Sequence, residues 1–567
     1  LIWDEEKTKE QFEKESENAL PVLKEIKGKE IKTDSAKPTN ILIEGDNYHA
    51  LSVLNYTHQG KVDVIYIDPP YNTGNKDFVY NDDYVDKDDE YKHSKWLSFM
   101  SKRLRLAKPL LKDSGTIFIS IDDKEYPRLV MLLEEIFREE YIKTICVKMS
   151  EATGVKMASV VKNGRIPKLK EYLVIAKKDG IRDLYLEKLP KEKWDDEYKT
   201  LIINATEEQI NEVKETRDND DRTEGDLQKS NEIISGWKSV SLPEYFKLNN
   251  VAQKDQESFK YKNAWRIIQI VTLTGGARDI AAKKKLSFKN IPNYFSITTP
   301  QKKMYLISGD FNHETKLPRC KLLFADDYLT VHPGDFWSDI KTTGLDNEGG
   351  VDFKNGKKPL KLIERVLKTN REKDITILDF FAGSGTTAEA VLKLNKEDNG
   401  NRKFIICTYN KENNSDVRII DDYCLPRVSN SLKKYGDKNA LGGNLKYFKT
   451  AFVKNSISRD DLKIRITREC TEMLCLREGI FDEVKAKPDY HIFEQNDKVM
   501  AVYYALERDG LEQLKKELDK MKGEKILYCF TLDPLGLDKN DFADWQGVSL
   551  EAIPQPILDI YKEIYNL

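Results

Sequence analysis

Four consecutive residues, Asp68-Pro69-Pro70-Tyr71, set a carboxylate, a stiff turn and an aromatic face side by side. Two successive prolines fix φ and remove two backbone N–H donors while keeping their carbonyls as acceptors. A turn of this kind suits a flat exocyclic amine, whose lone pair is delocalised into its ring and whose two N–H groups need acceptors. The Asp68 carboxylate and the Pro69 carbonyl can each take one N–H, localise the lone pair and aim it at an electrophile, while Tyr71 stacks on the ring. Asp and Pro are also ordinary turn residues, so the four alone could make a solvated turn.

A second candidate stretch is Asp379-Phe380-Phe381-Ala382-Gly383-Ser384-Gly385-Thr386-Thr387. Its two glycines allow a ligand to approach the backbone closely, and a following helix start would favour a negative group such as a carboxylate. Thr386 stands where a phosphate-binding loop would carry Lys, and Ala388 stands at the position of the third glycine of a dinucleotide-binding turn.

The elements needed to position both stretches are legible. Val62 to Ile67 reads as a buried strand that ends at Asp68, and Ile375 to Phe381 as a strand running into the glycines, with a helix from Ala388 onward. Further strands are expected at Ile41–Ile43, Thr116–Ile121, Ile142–Val147, Tyr172–Ala176 and Phe404–Thr408. Helical patterns lie between the early ones, around Trp96 to Leu111 and Leu129 to Phe137, and this alternation predicts a parallel α/β sheet. In such sheets ligands bind beyond the strands' C-terminal ends.

Together, Asp68-Pro-Pro-Tyr71, extended through Asn72-Thr73-Gly74-Asn75, and the Asp379–Thr387 stretch resemble the amino-methyltransferases of DNA that use S-adenosylmethionine. The order of catalytic motif, then recognition region, then cofactor motif resembles the permuted β class. Glu44-Gly45-Asp46-Asn47 and Ser120-Ile121-Asp122-Asp123 resemble the modification subunits of Type III restriction–modification systems. The resemblance implies a class I, Rossmann-like methyltransferase sheet, circularly permuted, with an inserted target-recognition domain and a mixed α/β C-terminal domain. It divides the chain into a helical segment at 1–35, a catalytic half at 36–180, a recognition domain at 181–335, a cofactor half at 336–420 and a separate C-terminal domain at 421–567.

The implied activity is transfer of a methyl group from S-adenosylmethionine to the N6 of a flipped adenine in duplex DNA. Cytosine N4 remains an alternative acceptor, and a non-catalytic DNA-specificity or assembly subunit keeping the fold is the alternative from another class. Asp68, Pro69, Pro70 and Tyr71 are the implied catalytic residues, with Phe381 or Phe78 adding stacking. The implied cofactor residues are Asp46, Pro359 in Lys357-Lys358-Pro359, Asp379, Phe380, Phe381, Ala382, Gly383, Ser384, Gly385, Thr386 and Asn410. Asp46 would meet the adenine of the cofactor, although a helix-capping role fits it equally well. Asn410, with Glu412 further on, stands where an acid usually holds the ribose. The implied partners are double-stranded DNA, a second copy of the chain and a separate restriction subunit.

Composition sets bounds on these readings. The chain has 567 residues, 39% hydrophobic and 33% charged, enough for several domains with ample core. No apolar run approaches the roughly 20 residues of a membrane span, so no membrane partner is expected. Seven cysteines without a Cys-x-x-Cys pair fit reduced thiols in a cytoplasmic setting and predict no structural metal. The net charge of −3 hides local asymmetry. Lys254–Lys303 carries eleven bases against three acids and Lys143–Lys178 nine against two, whereas Glu192–Asp226 carries thirteen acids against five bases. A phosphate-facing surface needs blocks of the first kind, which makes Arg266, Arg278, Lys283, Lys284, Lys285, Lys302 and Lys303 the candidate DNA contacts. The insertion itself reads as short strands, acidic stretches and exposed aromatics, with no helix long enough to read DNA. In the tail, Leu511, Leu514, Leu518 and Met521 form an apolar helical stripe read as core.

Overall fold

The computed structural model describes residues 19–34, 36–74, 79–80, 83–85, 88–150, 160–162, 164, 166–179, 184–191, 193–340, 345–352, 357–410, 418–433, 440–456 and 458–565. Asn75, Phe78 and Glu412 lie outside the described residues. The chain forms two compact units, one of residues 1–186 with 334–567 and one of Glu187–Pro333.

The larger unit is built on a mixed sheet. Its main strands are β1 (Ala19–Glu25), β2 (Thr39–Glu44), β3 (Val62–Ile67), β4 (Leu111–Ile121), β5 (Ile142–Lys148), β6 (Lys170–Lys177), β7 (Phe336–Trp337), β8 (Thr376–Asp379), β9 (Lys403–Thr408) and β10 (Asn444–Lys454), in the order β1-β10-β2-β9-β8-β3-β4-β6-β5-β7, with the two-residue strand Ile31–Lys32 also paired to β10. The run from β10 to β4 is parallel throughout, and β6 lies antiparallel to both of its neighbours. Strands β8 and β9, drawn from late in the chain, thus fill the centre between β2 and β3.

Alternation along each strand explains why this sheet is covered on both faces. Ile41, Ile43, Ile65, Ile67, Leu378 and Ile405 enter one apolar cluster, while Leu42, Val64, Tyr66, Ile377, Phe404 and Ile406 enter the other. A period of two sends successive side chains to opposite faces. The first face is covered by α1 (Asn47–Thr57), α2 (Lys92–Ala107) and α3 (Tyr126–Phe137) through Leu51, Trp96 and Leu132. The second is covered by α4 (Leu360–Leu367), α5 (Thr386–Asp398) and α6 (Leu425–Leu432) through Leu362, Val391 and Val428. None of the described helices is long and apolar enough to cross a membrane.

Two expectations about the chain ends are corrected. The helical lead-in at 1–35 is, where described, mostly extended apart from one 3₁₀ turn at Lys27–Lys29: Ala19–Glu25 is a strand paired antiparallel with β10, because Leu20, Val22 and Leu23 are needed to close that edge of the core. The C-terminal region is not separate from 421 onward either. Residues 425–432 and 444–454 belong to the central layers, and Met500, Val502, Tyr528 and Tyr561 continue the apolar cluster of the first face. A five-stranded sheet within 482–553 follows, and the helix Leu511–Leu518 buries Leu511, Leu514 and Leu518 against it as ordinary core, with Met521 packed alongside. The strand expected at 375–381 stops at Asp379, where the chain turns into the glycines.

The smaller unit is a six-stranded antiparallel sheet with helices, richer in structure than its sequence suggests. Thr206 with Gln209 and Thr223 with Asp226 form capping boxes that start the helices Glu207–Asp218 and Glu224–Ser235 inside the acidic stretch. Gly275–Ser287 is a helix of 13 residues, so the expectation of no helix long enough to read DNA fails. The aromatics expected to be exposed include Trp237, Tyr294 and Phe324, which are buried core.

Candidate active site

Four adjacent parallel strands, β2, β9, β8 and β3, end along one edge of the larger unit, and each runs into an expected site residue: Asp46, Asn410, Asp379 and Asp68. Because Ile377 pairs with Val64 and Leu378 with Ile65, β8 and β3 run in register, and their following loops emerge side by side. The Asp68 loop and the Gly383 loop therefore meet although they lie about 300 residues apart in sequence. Burial raises the Asp379 carboxyl, and the Asp68 carboxylate adds to the rise.

The Asp68 loop is held by side chains around it. Trp96 Nε1 donates to the Pro70 carbonyl at 2.7 Å. Asn72, at φ +54°, donates from Nδ2 to the buried Glu125 Oε1 at 2.7 Å and to the Lys92 carbonyl at 3.1 Å. His93 Nδ1 lies 2.6 Å from the same Glu125 oxygen. No hydrogen bond to the Pro69 carbonyl is found among the described residues, which leaves that acceptor for a ligand.

Two side chains not expected from the sequence complete this pocket. Lys358 Nζ donates to Glu171 Oε2 at 2.6 Å and to the Tyr71 hydroxyl, and lies 4.7 Å from the centroid of the Tyr71 ring. The Tyr71 hydroxyl in turn donates to Glu171 Oε2 at 2.9 Å. The same ammonium stands 3.3 Å from Asp68 Oδ1, an ion-pair distance without hydrogen-bond geometry, so Oδ1 accepts no hydrogen bond among the described residues. Burial pushes the Asp68 carboxyl up to about 6 against the pull of the Lys358 ammonium, and Glu171 adds to the rise. Burial would raise Glu171 too, but Lys358 overrides it and holds that carboxyl below its ordinary value. Lys358 itself is raised, the two carboxylates outweighing its burial.

The Gly383 loop is shaped by backbone. Gly383 and Gly385 sit at φ +49° and +81°, where L side chains are strained. A Cβ at Gly383 would meet nothing nearer than the Phe381 carbonyl at 3.9 Å, whereas one at Gly385 would press on Cys424 Sγ at 3.2 Å. Gly385 leads directly into α5. The Asp379 carboxylate accepts from the Phe381 N–H at 3.0 Å and the Thr387 hydroxyl at 2.5 Å; burial nevertheless raises it to about 7. Behind the loop, the fully buried Arg427 donates from Nη1 to Ser384 Oγ at 3.1 Å and Thr386 Oγ1 at 2.7 Å, and from Nε to Glu389 Oε2 at 2.6 Å. Phe380 and Ala382 are buried and Phe381 is half-buried, packed on Phe99 at 5.9 Å.

The remaining expected cofactor residues divide. Asp46 caps α1 by accepting from the Tyr48 N–H at 2.7 Å, and its carboxylate pairs with Arg103 at 3.3 Å. Asn47 ties this end to the glycine loop through the Phe380 carbonyl at 3.0 Å. Pro359 occupies the N-cap position of α4, directly after Lys358. Asn410 is largely committed elsewhere: its Oδ1 accepts from Ile420 N at 3.0 Å and its Nδ2 donates to Asp421 Oδ2 at 3.0 Å, which corrects the expectation of a free ribose-binding amide. The open space at Gly383, the helix start after Gly385 and the unspent acceptors at Asp68 and Pro69 fit an elongated cofactor with an anionic end, next to an amine-bearing acceptor.

In the smaller unit the seven candidate bases are not equivalent. Arg266 bonds Asn263 Oδ1 at 2.6 Å, and Arg278 bonds the His313 and Thr315 carbonyls at 2.9 and 3.0 Å. Lys284 bonds the Ser296 carbonyl at 2.8 Å, and Lys285 the Phe311 carbonyl. These four are bonded within their own scaffold. Lys283, Lys302 and Lys303 are exposed, and no side-chain partner of theirs is found among the described residues.

Sequence reasoning missed Lys358, Glu171 and Arg427. Glu171 did leave a signal, as one of only two acids in the basic block from 143 to 178. Lys358 lay within the Lys357-Lys358-Pro359 stretch but with no role of its own, and Arg427 left no signal, since its loop lies elsewhere in the chain.

Residues 62–416 match the family model described as DNA methylase. The chain is 33% identical over 400 residues to the Type III restriction-modification enzyme StyLTI Mod subunit of Salmonella typhimurium, covering 65% of this chain and 52% of that one. It is 30% identical over 418 residues to the EcoPI Mod subunit of Escherichia phage P1, covering 68% and 59%. Against the Haemophilus influenzae protein named probable HindVI Mod subunit it is 27% identical over 559 residues, covering 89% and 68%. The chain thus spans between about half and two thirds of the length of these relatives. The matched span contains both loops and everything between them, and this chain belongs to the DNA methylase family.

Proposed function

We propose that this chain is a site-specific DNA methyltransferase that moves a methyl group from S-adenosylmethionine to the N6 of an adenine flipped out of the duplex, as the modification subunit of a restriction–modification system. The observation that carries this reading is the emergence of the Asp68 and Gly383 loops from adjacent, in-register strands β3 and β8. The chain order, with the Asp68 strand before the glycine strand, supports a circularly permuted class I sheet.

When bound, S-adenosylmethionine supplies a methyl carbon made electrophilic by its sulfonium. The glycine turn gives that cofactor close backbone approach, and the start of α5 favours its carboxylate. A base inside the stack cannot be reached, so it must be extruded at a cost of a few kcal/mol. Tyr71, with the half-buried Phe381 nearby, replaces part of the lost stacking. Asp68 and the Pro69 carbonyl accept the two N–H bonds of the base amine and direct its lone pair. Transfer of that methyl, with the electron pair of the broken bond kept by the donor, would leave the amine held by Asp68 and Pro69 with one proton too many. Asp68 is placed to take that proton and pass it to water. Because the cofactor's positive charge is extinguished in the step, positioning contributes more than strong acid–base chemistry.

The unit Glu187–Pro333 serves as the recognition domain, with Lys283, Lys302 and Lys303 as its phosphate partners. The relatives' printed names, Mod subunits of restriction–modification enzymes, support a separate restriction subunit, and a second copy of the chain is the other expected partner. Seven unpaired cysteines fit a cytoplasmic setting. Sequencing of modified bases in DNA from cells with and without the intact gene tests the reading. Methylated adenine at one short motif is expected; methylated cytosine would move the assignment to N4, and unchanged DNA would refute it.

A further inference from the structure

We propose that Lys358 and Glu171 are positioning residues for the methyl-accepting pocket: Lys358 keeps Asp68 ionised and clamps the Tyr71 hydroxyl, while Glu171 draws the ammonium off Asp68 far enough to leave one carboxylate oxygen for the substrate amine. The proposal rests on the reading that a base amine binds at Asp68 and Pro69.

One ammonium serves two carboxylates here, and it serves them unequally. It makes a full charge-assisted hydrogen bond to Glu171 at 2.6 Å but stands off Asp68 Oδ1 at 3.3 Å without bonding it. All three groups are shielded, with side-chain exposures of 10%, 20% and 22% for Lys358, Glu171 and Asp68. An unpaired carboxylate in such surroundings takes up a proton instead of staying charged. A protonated Asp68 would point a donor at a substrate amine that is itself a donor, and the site would fail. A contact ion pair would fail differently, since the lysine would then occupy the acceptor. Glu171 prevents that second failure by holding Lys358 and, through it, the Tyr71 hydroxyl.

The ammonium sits at the hydroxyl end of the Tyr71 ring, 4.7 Å from its centroid, and not over its face. Among the described residues, the other titratable groups facing Asp68 are the hydroxyls of Tyr66 and Tyr71, both raised first by burial and next by Asp68, and Asp379 on the neighbouring strand. Lys168, paired with Asp122 at 2.6 Å, adds positive charge near Glu171. Among these groups, Lys358 and Glu171 act on Asp68 most strongly and with opposite signs.

That opposition gives the test. In the full chain, labelled with ¹³C at aspartate carboxyls and assigned through the signal lost in Asp68→Asn, the Asp68 midpoint is followed alongside the pH profile of methyl transfer from radiolabelled S-adenosylmethionine to unmethylated plasmid DNA. Lys358→Met should raise the Asp68 midpoint by about one pH unit or more, Glu171→Gln should lower it, and Lys358→Arg should keep it within about half a unit. The acid limb of the transfer rate should move with it in each case. Midpoints that stay fixed, or move in the same direction in Lys358→Met and Glu171→Gln, would overturn the proposal, and the Arg and Gln variants carry the test if the Met variant fails to fold. Opposite shifts in an intact chain that methylates no DNA would instead overturn the methyltransferase reading and leave the charge assignment standing.

Discussion

The loops after β3 and β8 end adjacent strands of one sheet, yet they are built in opposite ways. The Asp68 loop is fixed by side chains arriving from outside it, Trp96 on the Pro70 carbonyl, Glu125 on Asn72 and Lys358 on Tyr71, and this bracing leaves acceptors unspent. The Gly383 loop is fixed by its own backbone at positive φ and by Arg427 drawing Ser384 and Thr386 backward, and this leaves space unfilled. A loop that must grip an amine keeps free oxygens, whereas a loop that must admit a cofactor keeps free volume. The two should therefore fail differently when damaged.

Asp68→Ala should separate them most sharply. Loss of the oriented acceptor should cut methyl transfer by about 10³-fold or more, while cofactor affinity by titration calorimetry stays within about threefold. A parallel loss of affinity would mean that the loops do not divide the work.

Arg427→Met comes next in expected size. It strands Glu389, whose side chain is only 13% exposed, and releases Ser384 and Thr386. Removing one partner of a buried pair costs about 3 kcal/mol, which chemical denaturation would read as a lower midpoint at unchanged slope.

The two glycines sharpen the contrast within one loop. Gly383→Ala and Gly385→Ala each add roughly 1 kcal/mol of backbone strain at positive φ. Only the second also presses on Cys424, so Gly385→Ala should lower the melting temperature more. The methyl of Gly383→Ala enters open space, so that variant should instead weaken cofactor binding more, by about tenfold if the methyl displaces the ligand by a fraction of an ångström. The opposite ranking would place the cofactor elsewhere.

The smallest effect concerns pH. Burial holds Asp379 near 7 and Asp68 near 6, above their unfolded values. The folded chain therefore keeps protons that the unfolded chain has already lost, and each acid's contribution to stability is complete in acid and is lost as pH rises through its folded value. Between pH 5.5 and 8 the wild type should lose stability relative to Asp379→Asn, measured as the difference in melting temperature at each pH. Parallel curves would show that Asp379 does not titrate in this window.

Much of this edge could be read in advance because its chemistry is local. Asp68 to Tyr71 concentrates acceptor, turn and ring in four residues, and the strands that deliver the loops are short β-branched runs with few other readings. What the sequence hid depends on partners. Lys358 and Glu171 are separated by 187 positions and meet only through the sheet. Asn410 looked like a ribose ligand until the turn at 420–421 was seen to take its amide. The basic block of the insertion showed charge but not destination, and four of its seven candidates point at their own carbonyls or at Asn263. Ala19–Glu25 was read as part of a helix because its strand partner lies more than 400 residues away.

The most direct test is mass analysis of nucleosides from duplex DNA incubated with the full chain and S-adenosylmethionine carrying a trideuterated methyl group, with Asp68→Ala run in parallel. The expected result is deuterated N6-methyladenosine in wild-type reactions and none above background in the variant. Label absent from the DNA, or present equally in both, would contradict a site in which Asp68 presents an amine to a methyl donor held at Gly383.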